Sequence, residues 1–245
     1  MAQDRLDLLL VRRGMVPSRE QAKRLIMAGE VFVGDRQVTH AGWKLHPDSV
    51  VTVRQPPKFV GRGGFKLEGA LDHFQIDATH LTALDIGAST GGFTDCLLQR
   101  GASKVFAFDV GTNQLAWKLR SDPRVICREK FNVRHMQPAD VGQEVDLIVA
   151  DVSFISLTLV LPAALTVLKL GGVAVVLVKP QFELSPDEVG KGGIVRESAL
   201  HQKACDKIES FVRSRKDLQW IGITESSIQG TDGNREFLAC FSKVA

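Results

Sequence analysis

The chain has 245 residues and a mass of 26.8 kDa, with 44% apolar and 24% charged residues. That composition excludes a disordered, collagen-like or coiled-coil protein, and the length suits one medium domain plus a small module. The net charge is +3, but residues 1–60 hold 10 Lys and Arg against 6 Asp and Glu, while residues 61–245 hold 21 against 22, so the positive excess lies at the front, as a site for an anionic partner or as an ordinary solvated face.

In chain order, Leu6 to Val11 reads as a helix that Gly14 stops. Ser18 is a candidate N-cap with Gln21 three residues on, opening a second helix with Ala22, Leu25 and Ile26 on its apolar face and Gly29 at its end. Glu30–Val33, Arg36–Val38 and Ser49–Val53 follow as short strands. Residues 1–57 thus form a small α+β module, residues 58–63 a linker after Pro56-Pro57, and residues 64–245 the main domain. There, a helix carrying Phe65, Leu67, Leu71 and Phe74 precedes alternating elements. Strands are expected at Leu81–Ile86, Lys104–Asp109, Val145–Ala150 and Gly172–Val178, and helices at Phe93–Gln99, Ile155–Leu168 and Glu197–Val212. An antiparallel hairpin, Trp220–Ile228 and Glu236–Phe241 around a turn at 230–233, closes the chain. The pattern predicts a doubly wound α/β sheet with a mixed edge.

The four cysteines form no CxxC pair and read as buried thiols of a reducing compartment. Asp4, Arg5 and Asp7 interrupt the first ten residues, so no signal peptide is expected. The longest uncharged apolar stretch, Phe154–Leu168, contains Pro162 and is too short to span a bilayer. A cytoplasmic protein without a membrane partner is expected. No histidine has metal-ligand spacing with Cys or acids, so no metal is expected.

The segment Asp85-Ile86-Gly87-Ala88-Ser89-Thr90-Gly91-Gly92-Phe93 lies between a strand and a helix, where open α/β sheets bind ligands. Its glycines match neither G-x-G-x-x-G nor a P-loop, and no lysine follows. An acid just before the loop suits a ligand with a cationic end, such as S-adenosylmethionine. Asp109 ends the second strand, 22 residues after Gly87, where a carboxylate can accept both ribose hydroxyls. Asn132 is placed to meet an adenine edge. Four further polar residues lack an obvious structural role: Lys66, Asp151, Lys179 and Glu236. Asp151 and Lys179 follow apolar strands on the rim that bears the glycine loop. A ribose 2′-hydroxyl must lose its proton as a methyl group arrives, and a lysine can take it if burial and a second lysine favour the neutral amine. Lys179 is then the base, Lys66 the neighbouring charge, and Asp151 and Glu236 the groups that orient the two amines. The competing structural roles are a helix cap for Asp151, a solvated helix position for Lys66 and a protective edge charge for Glu236.

These motifs resemble the TlyA family of ribosomal RNA 2′-O-methyltransferases, also called hemolysin A. The resemblance rests on Gly61-Arg62-Gly63-Gly64-Phe65-Lys66-Leu67, Asp85 to Thr94, Gln114-Leu115-Ala116-Trp117, Ala150 to Leu157, Val178 to Glu183 and Gly190 to Arg196, and departs at Thr112-Asn113, where many relatives carry Tyr-Gly. It implies a Rossmann-like S-adenosylmethionine-dependent methyltransferase domain, similar to FtsJ/RrmJ, with a mixed seven-stranded sheet. The catalytic tetrad it implies is Lys66, Asp151, Lys179 and Glu236, and the cofactor site comprises Asp85, Gly87, Ser89, Thr90, Gly91, Gly92, Phe93, Asp109, Asn132 and Asp151.

The front module is similar to the S4 RNA-binding domain through Arg5-Leu6-Asp7, Ser18-Arg19, Ala22, Gly29 and Val31 to Gly34. The implied partner is ribosomal RNA or a ribosomal subunit, met by Arg5, Arg19, Lys23, Arg24 and Arg36, with Arg62, Lys191 and Arg196 on the main domain; protein docking is the other use of such a module. The shorter members of the family are linked to cytidine methylation of large-subunit (23S) RNA alone, the longer ones also of small-subunit (16S) RNA. A non-catalytic RNA-binding or ribosome-assembly factor and a membrane-active hemolysin are the rival functions.

Overall fold

The structure, a computed structural model, describes residues 3–54, 57–230 and 233–245, and of Lys191 the backbone alone. The chain divides into two units, Met1–Lys58 and Phe59–Ala245.

In the small unit, strand β1 (Asp4–Arg5) leads into helices α1 (Leu6–Arg12) and α2 (Arg19–Met27). The Ser18 hydroxyl accepts the Gln21 N–H at 3.2 Å, so the expected cap forms. Strands β2 (Val31–Val33), β3 (Arg36–Val38), β4 (Lys44–Leu45) and β5 (Val51–Val53) follow. β2 lies between β3 and β5, antiparallel to both, and β1 pairs with β4. Leu6, Leu9, Leu10, Ala22, Ile26 and Val31 close a core of their own.

The large unit opens with α3 (Gly63–His73). The segment expected to be a linker contains Phe59, which is buried in this unit's core. Then come β6 (Thr82–Ile86), α4 (Gly92–Gln99), β7 (Lys104–Phe108), α5 (Trp117–Arg120), β8 (Val125–Arg128), α6 (Pro138–Val141) and β9 (Val145–Ala150). They are followed by α7 (Leu157–Ala164), β10 (Leu168–Val178), α8 (Pro180–Glu183), α9 (Ser198–Arg213), β11 (Leu218–Glu225) and β12 (Phe237–Lys243). The strands form one seven-stranded sheet in the order β11-β12-β10-β9-β6-β7-β8. Only β12 runs against its neighbours β10 and β11, so the sheet is mixed at one edge.

Side-chain alternation builds three layers. Leu84, Ile86, Phe106, Phe108, Ile148, Ala150, Val176 and Val178 face α7 and α9. Ala83, Val105, Ala107, Leu147, Val149, Val175 and Leu177 face α3 and α4. Asp85 shares this second parity, which puts a carboxylate under α4.

Three expectations change. The helix expected at 155–168 is α7 alone, with Ser156 rather than Asp151 at its N-cap and a 3-10 turn at Leu165–Val167. β10 begins at Leu168, with a register shift against β9 before Val173. Cys127 is half-buried, whereas Cys96, Cys205 and Cys240 are buried; all four are free thiols. Residues 231 and 232 of the expected 230–233 turn lie outside the described residues.

Candidate active site

The site follows from strand register. Ile86 lies between Phe108 of β7 and Ala150 of β9, and Ala150 pairs with Val176 of β10. Val178 pairs with Phe237, where β12 enters in the opposite direction. Gly87, Asp109, Asp151, Lys179 and Glu236, each adjoining its strand's end, therefore share one rim. α3 adds Lys66 because two glycine motifs meet: a Cβ on Gly92 would lie 2.9 Å from the Gly64 nitrogen. Gly87 is as constrained, with φ +79° and the Asp151 carbonyl oxygen 2.4 Å from where a Cβ would stand.

The four tetrad residues form two ion pairs in one cleft of about 250 Å³, lined also by Arg62, Ser89, Thr90, Gly92 and Phe93. Lys66 Nζ lies 2.5 Å from Glu236 Oε2, and both side chains are buried. Lys179 Nζ lies 2.6 Å from Asp151 Oδ1 and 2.9 Å from the Ser153 hydroxyl. Charges this far from water keep company with a partner. Here each amine has its own carboxylate, and both lysines line the same cleft.

A second cleft, of about 440 Å³, shares Gly87, Ser89, Asp151 and Ser153 with the first. Its walls include Phe108, Phe131, Val133, Val152 and Ile155, with Asp109 and Asn132 among its polar groups. Asp109 accepts the N–H groups of Ser89 at 2.8 Å and Gly111 at 2.6 Å, tying the glycine loop to the end of β7. Asn132 Oδ1 accepts the Arg134 N–H at 3.0 Å. Gly91, at φ +98°, is the N-cap of α4, and Leu115 and Leu119 pack where its Cβ would be. Packing against the loop thus accounts for Leu115 of the Gln114–Trp117 motif, whereas Trp117 is exposed. The Ala116 N–H also donates to the Thr90 carbonyl at 3.1 Å. Phe93 is buried beneath the loop.

Asp85 lines neither cleft. It is fully buried; its Oδ2 accepts from Thr94 Oγ1 at 2.6 Å, while its Oδ1 has no hydrogen-bond partner. Burial pushes its carboxyl up to about 7, against the Thr94 hydrogen bond and with the charges of Asp151 and Asp109 adding to the rise. Two acids, Asp109 and Asp151, beside apolar walls, with the buried Asp85 outside the cleft, suit a nucleoside that carries a positive charge better than one that carries phosphates. Among the described residues no group of three or more His, Cys, Asp or Glu is arranged to hold a metal ion.

The candidate RNA contacts have different surroundings. In the small unit Arg5 and Arg19 both bond the buried carboxylate of Asp7, at 3.0 and 2.9 Å. Burial raises the Asp7 carboxyl, but the two guanidinium groups outweigh it and hold the group down at about 2. Lys23 and Arg24 are exposed on α2, and the exposed Arg36 sets its guanidinium over the Trp43 ring at 5.1 Å. In the large unit Arg62 is exposed, lines the tetrad cleft and donates to the Gln229 carbonyl at 2.8 Å. Arg196 is exposed, and the Lys191 side chain lies outside the described residues. The glycine segment before Arg196 is held by buried Asn234, which accepts from the Val195 N–H and donates to the Gly193 carbonyl, both at 2.9 Å.

Sequence reasoning passed over Ser153, Phe154, Glu183 and Asn234. Phe154 carried the clearest signal, an aromatic residue between a strand end and a helix start. It is 91% exposed at φ +63°, a conformation costly for an aromatic residue, and its ring meets that of Phe182 at a tilt of 50° with centroids 5.0 Å apart.

The sequence matches the FtsJ-like methyltransferase family over residues 59–243 and the S4 domain over residues 4–51. It is 46% identical over 237 residues to YqxC of Bacillus subtilis (strain 168), provisionally named an rRNA methyltransferase, covering 96% of this chain and 84% of YqxC. It is 43% identical over 237 residues to the 16S/23S rRNA (cytidine-2′-O)-methyltransferase TlyA of Mycobacterium tuberculosis (strain ATCC 25618 / H37Rv), covering 95% and 87% of the two chains. A solved structure from Streptococcus thermophilus, provisionally named a hemolysin, superposes with a TM-score of 0.74 at 43% identity, covering 100% of this chain and 90% of the other.

Proposed function

The chain belongs to the FtsJ-like methyltransferase family, and on that premise we propose that it methylates the 2′-hydroxyl of a cytidine in ribosomal RNA, with S-adenosylmethionine as cofactor. The observation that carries this reading is the pair of lysine–carboxylate ion pairs facing one cleft beside the glycine loop. The S4 domain supports RNA as the substrate class. The reaction would take place in the cytoplasm, on the large-subunit (23S) RNA as first target and the small-subunit (16S) RNA as second.

The apolar walls of the larger cleft would take the adenosine, Asp109 the ribose hydroxyls, and the glycine loop with Asp151 the cationic end. When bound, S-adenosylmethionine supplies an electrophilic methyl group on a sulfonium. A ribose hydroxyl must give up its proton as its oxygen attacks. Lys179 takes that proton. Asp151 and Ser153 aim the amine, and Lys66, fixed by Glu236, steadies the substrate oxygen. Phe154 offers an exposed ring face beside Ser153 on which the target base can stack.

The test is methyl transfer from labelled S-adenosylmethionine to purified ribosomal subunits, with the unmodified protein beside Lys179→Ala. The expected outcome is label at one alkali-resistant linkage, reduced by on the order of a hundredfold or more in the variant, the scale of general-base catalysis. If the protein binds cofactor but labels neither subunit nor naked ribosomal RNA, the ribosomal RNA substrate is wrong, and transfer RNA or the non-catalytic assembly-factor reading takes its place. A hemolysin reading has less support, because no helix among the described residues is long and apolar enough to cross a membrane.

A further inference from the structure

We propose that Glu183 is a positioning residue for methyl transfer: it clamps the strand-end loop that carries Asp151 and Ser153 to the strand-end turn that carries Lys179. The inference rests on the reading of Lys179 as the base.

Lys179 leaves β10 in extended conformation and Pro180 starts the single turn of α8, which Glu183 ends. The Glu183 carboxylate is buried, yet it lines neither cleft. It reaches instead to the other loop, at Ser156 and Leu157. Its Oε1 accepts the Leu157 N–H at 2.7 Å, and its Oε2 accepts from the Ser156 hydroxyl at 2.5 Å. Lys207 of α9 supplies the countercharge, 3.0 Å from Oε2, and also donates to the Glu183 carbonyl at 2.6 Å.

The proton directions follow. A carboxylate only accepts, so Ser156 spends its one hydroxyl proton on Glu183, and Thr158 Oγ1, 2.9 Å away, must donate to Ser156. The clamp is thus a chain of oriented bonds across 27 residues of sequence.

Its position is what gives it a catalytic consequence. Residues 151–156 belong to no helix or strand and include the left-handed Phe154. Beyond the sheet, three kinds of contact join this segment to the Lys179 turn: those of the Lys179 amine with Asp151 and Ser153, the exposed Phe154–Phe182 ring contact, and the buried Glu183 clamp. The amine contacts must readjust when Lys179 gains a proton from substrate, because its charge and its count of donors change. The clamp need not, so it keeps the base and its carboxylate in register through the reaction.

The test compares Glu183→Ala, Glu183→Gln and Ser156→Ala with the unmodified protein. The first readout is independent of turnover: competitive acetylation of lysines in the free protein across pH, read by mass spectrometry at Lys179 and Lys66. The expected result is a change in Lys179 labelling of about threefold or more in Glu183→Ala with Lys66 unchanged, and a smaller change in Glu183→Gln, which keeps an acceptor for Leu157. The second readout is single-turnover methyl transfer. The expected result is a loss on the order of tenfold or more in rate, with a shifted pH midpoint and near-constant KM for RNA, the scale of a base moved by a fraction of an ångström.

Wild-type Lys179 labelling in every variant overturns the clamp. So does a rate loss that tracks lost folded protein while the pH midpoint stays fixed. If Glu183→Ala does not fold, Glu183→Gln and Ser156→Ala decide by the same readouts. An unmodified protein inactive on every RNA defeats the methyltransferase reading instead, and the labelling still reports on the clamp.

Discussion

At the scale of single residues, the site is a set of charges whose burial is compensated to unequal degrees. Lys66 and Glu236 pair, as do Lys179 and Asp151, whereas Asp85 meets only the neutral donors of Thr94 and keeps one orphaned oxygen. Burial raises the Asp85 carboxyl from an ordinary 3.8 to about 7. Between those values the native protein keeps a proton that the unfolded chain has released, so stability falls as pH rises from the lower value through the upper one. The predicted loss is on the order of a few kcal/mol, complete above about pH 7. Urea unfolding of the wild type and Asp85→Asn, from pH 4 to 8, checks this. The wild type should lose stability relative to the variant as pH rises, and parallel pH profiles would contradict the assignment. Asp7 behaves oppositely. Its carboxyl is held down near 2, so its stabilising effect is present above the ordinary value and disappears as pH falls through about 2.

At the scale of elements, the site depends on how closely α3 approaches α4. Gly92 leaves no room for a Cβ against the Gly64 backbone, so Gly92→Ala should push α3, and Lys66 with it, away from Glu236. Overpacking of this kind costs roughly 1–3 kcal/mol. A lower urea midpoint at constant m-value, with methyl transfer reduced more than cofactor binding, is the expected result; unchanged transfer would show that α3 tolerates the shift. Contacts like this one cannot be read from periodicity, although the elements that make them can. The apolar run Val145–Ala150 and the amphipathic 197–212 segment announced β9 and α9, and through them the rim that holds Asp151. β8 escaped notice because it is an edge strand whose residues, Val125 to Arg128, show no clean apolar alternation and only partial burial. The helix expected over 155–168 ran too long at both ends, because Ser156 caps it late and β10 starts at Leu168. Lys66, Asp151, Lys179 and Glu236 stood out because a polar residue beside an apolar strand or at a helix start needs a reason. Glu183 and Asn234 did not, since their partners lie 24–27 and 39–41 residues away in sequence and only the folded chain brings them together.

At the scale of the whole molecule, the charge separates along the chain as the cores do. The apolar cluster of the small unit lies wholly within residues 6–53, and the two that sandwich the large sheet lie within 59–241. Residues 1–60 carry a surplus of four positive charges, whereas the rest of the chain is nearly neutral. If RNA affinity resides in that surplus, it should depend strongly on salt and be separable from cofactor binding. The choice of probe matters. Arg5 and Arg19 neutralise a buried carboxylate, and Arg36 lies over Trp43, so substituting any of them disturbs packing as well as charge. Lys23 and Arg24 sit exposed on α2 and are the cleaner pair. The double variant Lys23→Ala/Arg24→Ala should bind ribosomal RNA more weakly, with its log–log salt slope reduced by about one for each phosphate that is no longer neutralised. Its calorimetric affinity for S-adenosylmethionine should match the wild type. An unchanged salt slope would move the RNA-binding face off α2, whereas a weakened cofactor affinity would mean that the small unit shapes the methyl-transfer site as well as holding the substrate.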